Sequence, residues 1–138
     1  MLDIKKPVAI VDKDKVRKNI KLMANKAKRS NIIFRPHFKT HQSKDIGEWF
    51  KEYNVSAITV SSLDMANYFA REGWTDITIA VPFNIKQIDE ANILSDKISL
   101  NLLVDSIETS KFLAKKISFN VNIWIEIDID HHRTGIDW

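Results

Sequence analysis

The sequence predicts an α/β domain built on a parallel sheet, and three observations predict it. Short β-branched runs alternate along the chain with amphipathic stretches of helical period. The connections between them are only a few residues long, which favours parallel strands joined by right-handed crossovers. No linker, low-complexity segment or internal repeat beyond the βα unit divides the 138 residues, so they form one domain or a piece of one.

Taken in order, the first candidate strand covers 7–11. Asp12 then caps a helix in which Val16, Ile20, Met23, Ala24 and Ala27 recur at helical spacing. Lys13, Lys15, Lys18, Lys21 and Arg29 fall elsewhere and make a solvated face. A strand over 32–37 runs up to Pro36, which has no N–H to give a ladder and frays the strand there. A helix over 43–53 leads to the apolar, β-branched strand 55–61, and a helix over 63–71 to strand 76–82. A helix over 85–95 precedes strand 98–104, and a helix over 106–116 precedes a last strand over 120–128.

Two architectures fit this alternation. A doubly wound open sheet is complete at this length, whereas a closed eight-stranded barrel needs about 250 residues, so the chain would hold a little over half of one. The last strand favours the barrel. Val121, Ile123, Ile125 and Ile127 share one face, and Asn122, Trp124, Glu126 and Asp128 share the other. A strand sandwiched between helical layers is apolar on both faces, while one lining the upper end of a barrel can carry polar groups inward.

Composition bounds the class. Hydrophobic residues make up 44% and charged residues 28%, ordinary for a globular chain, and the absence of cysteine excludes a disulfide framework and a thiolate metal site. A reducing compartment fits, with the cytoplasm as the expectation. No apolar run approaches the roughly 18 residues of a membrane span. The net charge of +3 comes from lysines scattered among acids, with no basic patch interleaved with aromatics, so neither a nucleic-acid nor a membrane partner is expected.

The chemistry concentrates in Arg35-Pro36-His37-Phe38-Lys39-Thr40-His41, where a strand gives way to a helix. If the backbone stays extended, Arg35, His37, Lys39 and His41 fall on one side. A lysine crowded by cations and partly desolvated has its ammonium form disfavoured, which leaves a free amine for attack on a carbonyl. An arbitrary lysine just past a strand is a surface residue, and the histidines are then satisfied polar groups.

The string RPHFKTH, preceded by a basic helix that opens with VDKDKVRKNI, resembles the N-terminal part of the D-threonine aldolase and D-serine dehydratase family. This is a branch of the alanine-racemase-like, fold-type III enzymes that use pyridoxal 5'-phosphate. The likeness continues through Ile58-Thr59-Val60, through Gly73-Trp74-Thr75-Asp76-Ile77, and through Asp128 to Gly135, DIDHHRTG, which is similar to the family's D-x-G-x-x-R-x-G run. It covers nearly the whole chain.

The resemblance implies a partial (β/α)8 TIM barrel of the alanine racemase N-terminal type, with about five of the eight strands present. Residues 1–12 would be a leading strand joining a β-rich domain supplied by a C-terminal part. Residues 13–138 would be the N-terminal portion of the barrel, its first strand starting at Ile32. Lys39 matches the lysine that holds the cofactor through a Schiff base, Arg133 the arginine that hydrogen-bonds the cofactor's phenolic oxygen, and His37 stands beside Lys39 as a support of the cofactor site. The implied reaction is a lyase reaction on a D-3-hydroxy amino acid, either retro-aldol cleavage or elimination, with amino-acid racemisation as the alternative. A divalent metal near the substrate hydroxyl is implied as well, with its ligands outside this chain, and a homodimer when full length. Where relatives have Gly, a Glu and a glutamine, this chain has Asp130, Met65 and Ser61, and these positions do not separate aldolase, dehydratase and racemase. Readings of another class are an inactive fragment and a small module whose Lys39 binds an anion.

Overall fold

Helix starts in the computed structural model, which describes residues 4–137, are set by short polar side chains that accept the first free backbone N–H groups. Asp12 accepts from Lys15 N at 3.0 Å ahead of α1 (Lys13–Arg29), and Ser43 from Ile46 N at 3.4 Å ahead of α2 (Lys44–Lys51). Ser62 accepts from Met65 N at 3.1 Å ahead of α3 (Leu63–Arg71). Helix α4 (Ile88–Ser95) instead follows a 3-10 turn (Ile85–Gln87) capped by Asn84, and α5 (Ile107–Lys116) starts at Ser106, which accepts from Thr109 N at 3.2 Å.

Between these helices run β1 (Ala57–Val60), β2 (Asp76–Pro82), β3 (Ser99–Val104) and β4 (Asn122–Ile125), all parallel and adjacent in chain order. A separate parallel pair joins β5 (Ile127–Asp128) to β6 (Ile136–Asp137). The expected last strand is therefore interrupted at Glu126, whose N–H turns to Val104 O at 2.9 Å. The expected strand over 32–37 survives only as a bridge between His37 and Thr59, with Thr59 N donating to Pro36 O at 2.9 Å. Pro36 accepts but cannot donate, so no continuous ladder forms.

The expected strand over 7–11 is absent. It has no sheet partner among the described residues, and Ile10 is 68% exposed. Residues 1–3 of the expected leading segment, and Trp138, lie outside the described residues.

The two sheet faces differ in chemistry. Ile58, Val60, Ile77, Ile79, Leu100 and Leu102 alternate onto one face and form a single core with Leu63, Ala66 and Phe69 of α3, Ala91 and Leu94 of α4, and Leu113 of α5. The intervening residues make a polar belt on the other face, with His37, Thr59, Thr78, Asn101 and Asn122 side by side in register. A doubly wound sheet would cover that second face with helices; a polar belt lining a barrel interior accounts for it. One bridged segment and four strands thus form consecutive staves of a partial (β/α)8 barrel.

At the N-terminal end of the staves the belt is tied by charge. Arg35 donates to both carboxylate oxygens of Asp76, at 2.7 and 2.9 Å, and Asn101 Nδ2 donates to the same carboxylate at 2.8 Å. Asn101 Oδ1 accepts in turn from Asn122 at 3.1 Å and Trp124 at 3.4 Å, so the polar face of the last strand does point inward. No helix among the described residues is long and apolar enough to cross a membrane.

Candidate active site

Lys39 sits in one turn of 3-10 helix (Phe38–Thr40) directly past the end of the bridged strand. The turn replaces the extended backbone that would have placed Arg35, His37, Lys39 and His41 on one side. The structure separates them. Arg35 is drawn to Asp76 inside the barrel, and His41 lies in the aromatic core with its ring 4.5 Å from Phe38 and 6.0 Å, stacked, from Phe50. Lys39 is exposed at the C-terminal end of the staves. His37 accepts the Lys39 backbone N–H through Nδ1 at 3.3 Å and so caps the turn that carries the lysine.

Phe38 anchors this turn from below. It is fully buried and meets Phe69 and Trp74 edge-on, at 4.9 and 5.1 Å between ring centres. Burial keeps both imidazoles below their ordinary pKa. For His37 the positive charge of Lys39 adds to the depression, and backbone contacts at Thr59 for His37 and at Ser43 for His41 offset part of it.

Above the turn lies a cavity of about 440 Å³. Lys39 and Ser61 line it from one side and Ala80, Val81 and Pro82 from the end of β2; Glu126, Asp128, His131 and Arg133 close the other. Of the three cofactor-binding residues that the resemblance implies, Lys39, Arg133 and His37, the first two line this one space at the C-terminal end of the strands, where barrel enzymes keep their chemistry. His37 stays beneath and does not line it.

The loop that delivers Arg133 is shaped by Asp128. Its buried carboxylate accepts from His131 N at 2.7 Å and from His132 N at 2.9 and 3.1 Å. Asp130, His132 and Gly135 take positive φ values of 69°, 52° and 110°. Asp130, which stands where the resemblance expects glycine, takes a left-handed conformation that Asp tolerates better than most residues.

Glu126 is the lining residue that sequence reasoning left without a role. Its Oε1 accepts from Thr134 Oγ1 at 2.9 Å, while its Oε2 is buried with no hydrogen-bond partner. The alternation of the last strand had put Glu126 on the inward face, so the signal was present. A larger hollow of about 500 Å³, lined by Lys21, Lys28, Ile33, Phe34 and Tyr53, lies at the opposite end of the staves and receives neither Lys39 nor Arg133.

The fold and the site define a partial (β/α)8 barrel with a lysine and an arginine lining one cavity above its strands. The chain belongs to the family of the alanine racemase N-terminal domain, whose model matches residues 11–138. It is 32% identical to the D-threo-3-hydroxyaspartate dehydratase of Delftia sp. (strain HT23) over 99% of its own length and 37% of that protein. The crystal structure of the Delftia enzyme superposes with a TM-score of 0.87, covering 96% of this chain and 36% of that one. The chain is also 31% identical to the D-serine dehydratase of Dictyostelium discoideum, over 95% of its length and 36% of that protein. The D-threonine aldolase of Filomicrobium marinum, at 23% identity, shares the fold with a TM-score of 0.88, over 98% of this chain and 38% of that one. The chain thus spans a little over a third of the relatives it matches.

Proposed function

We propose that this chain carries the cofactor-anchoring part of a pyridoxal-phosphate-dependent lyase that acts on D-3-hydroxy amino acids. The observation that carries the proposal is the convergence of Lys39 and Arg133 on one cavity above the strands. Dehydratases of D-hydroxy amino acids among the relatives at more than 30% identity support the substrate class.

The residues present fit the anchoring half of such a site. Lys39 offers a primary amine to an aldehyde, and Arg133 offers a permanently charged fork to an anionic ring oxygen. Glu126 adds a carboxylate to the lining, one oxygen of which is held by the Thr134 hydroxyl. When bound, pyridoxal phosphate supplies an electron sink for negative charge at the substrate Cα. Lys39 Nζ, when not bonded to the cofactor, would be the base that takes or returns a proton at the substrate Cα. Loss of the Cα proton and the hydroxyl, together as water, would leave an enamine that water hydrolyses to a keto acid and ammonia, whereas Cα–Cβ cleavage, with the hydroxyl proton given up and a proton returned to Cα, would give glycine and an aldehyde. By the resemblance, a divalent metal held by ligands outside this chain would polarise the substrate hydroxyl.

Borohydride reduction of the chain with pyridoxal phosphate, followed by peptide mapping, tests the anchor. The label is expected on Lys39 ahead of the other exposed lysines, to fall when D-serine is present in excess, and to be absent from Lys39→Ala. Label spread evenly over the surface lysines would overturn the proposal.

A further inference from the structure

We propose that His37 and His41 form a paired clamp that holds the Lys39 turn from its two ends, each accepting the backbone N–H two residues on at its Nδ1 atom. His37 Nδ1 takes the Lys39 N–H at 3.3 Å, and His41 Nδ1 takes the Ser43 N–H at 3.1 Å. The two bonds repeat one local geometry on either side of the lysine. The spacing of four between the histidines follows from this, because one caps the 3-10 turn and the other ties that turn to the cap of α2.

Backbone bonds close the rest of the turn. Both His41 N and Gln42 N donate to Phe38 O, at 3.3 and 2.9 Å, and Gln42 Nε2 donates to Lys39 O at 3.3 Å. Phe38 is the bolt, with the His41 ring tilted against it. Lys39 is left as an exposed side chain on a backbone tied at both ends, which narrows where its amine can reach, although the buried His41 Nε2 has no partner of its own.

The clamp works only with neutral rings. An imidazole accepts at Nδ1 when its single proton is on Nε2, so both histidines are assigned the Nε2–H tautomer; a second proton converts the acceptor into a donor facing an N–H. Burial is the main influence against the charged form of both rings, the Lys39 charge adds to it at His37, and the backbone contacts at Thr59 and Ser43 offset only part of it, with Phe38, Phe50 and Phe69 packed around the half-buried His41. Both rings therefore resist protonation.

The functional weight of the clamp rests on the reading of Lys39 as the cofactor lysine, but its geometry can be tested without it. Asparagine places Oδ1 where histidine has Nδ1 and accepts the same N–H in an Asx turn, yet does not titrate; glutamine carries its acceptor too far out. Nitrogen NMR of the imidazoles and amide exchange at Lys39 and Ser43 would be measured on the whole chain between about pH 8 and 5. Expected are the Nε2–H tautomer in both rings and exchange protection that falls roughly three- to tenfold as they protonate. His37→Asn and His41→Asn should keep that protection across the range, while the corresponding Gln and Ala variants should lack it throughout. An Nδ1–H tautomer in either ring, or Asn variants as unprotected as Ala variants, would overturn the clamp. If the exchange pattern holds but pyridoxal phosphate shows no preference for Lys39, the clamp stands and the cofactor reading falls.

Discussion

Gly135→Ala is the substitution whose cost the structure defines most sharply. A methyl group at this position would lie 2.7 Å from Asp128 N, 3.0 Å from Ile127 C and 3.3 Å from Asp128 Cα, all backbone atoms that cannot swing aside. The φ of 110° adds conformational strain of about 1–3 kcal/mol for any residue with a Cβ. Relief requires the loop to move off β5, which breaks the pairing of Ile127 with Ile136 and of Asp128 with Asp137. It also breaks the 2.9 Å bond from Ile136 N to Glu126 O. A net cost of about 2 kcal/mol corresponds to roughly a thirtyfold rise in the open population of this segment. Amide exchange measures that population directly: the Ile136, His131 and His132 protons should exchange faster by about this factor, while those of β1 to β3 stay protected. The alanine variant should also lose the preference for Lys39 in reductive labelling, because Arg133 leaves the cavity with the loop. Unchanged exchange at Ile136 would refute the packing argument.

Two further outcomes follow from the polar groups. Asp76→Ala strands the half-buried Arg35 guanidinium and removes one of Asn101's acceptors, so urea denaturation should show a loss of roughly 2–3 kcal/mol. Asp76→Ala with Arg35→Met should recover part of it. Stability should also depend on pH in a fixed direction. The folded chain holds His37 and His41 below their ordinary pKa, so the unfolded state binds protons more readily. The contribution is then fully present above the unfolded imidazole value of about 6.5 and is lost as pH falls below it toward the depressed folded values. Denaturation midpoints measured across that interval should decline on acidification, and less so in the His37→Asn, His41→Asn double variant.

Much of the fold was legible because local signals and tertiary demands agreed. Asp12, Ser43 and Ser106 mark helix starts that the structure keeps, and strand 76–82 and helix 63–71 have the expected bounds. The inward polar face of the last strand was visible as alternation, but what it met was not. Asp76 and Asn101 are isolated polar residues in apolar runs, and only the register of three strands brings them to Arg35, Asn122 and Trp124. Parity failed past Pro36, where a 3-10 turn sets side-chain direction by a different period. The segment 7–11 carries strand propensity without a ladder, and propensity alone does not make a strand. For the candidate site, the motif pointed to Lys39 and Arg133 individually; that they line one cavity depends on the loop folded around Asp128, which no spacing rule encodes.

Pro36 has a wider consequence. Since the stave ahead of Lys39 joins its neighbour at a single bridge, with only the Thr59 hydroxyl on Arg35 O beside it, the height of the lysine is loosely coupled to the hydrogen-bonding lattice of the barrel. It is governed instead by a bulky ring below and short polar tethers beside it. Such a mounting can be retuned by single side-chain replacements while the remaining staves keep their alignment, so an amine could be raised or lowered over different reactants on an unaltered frame.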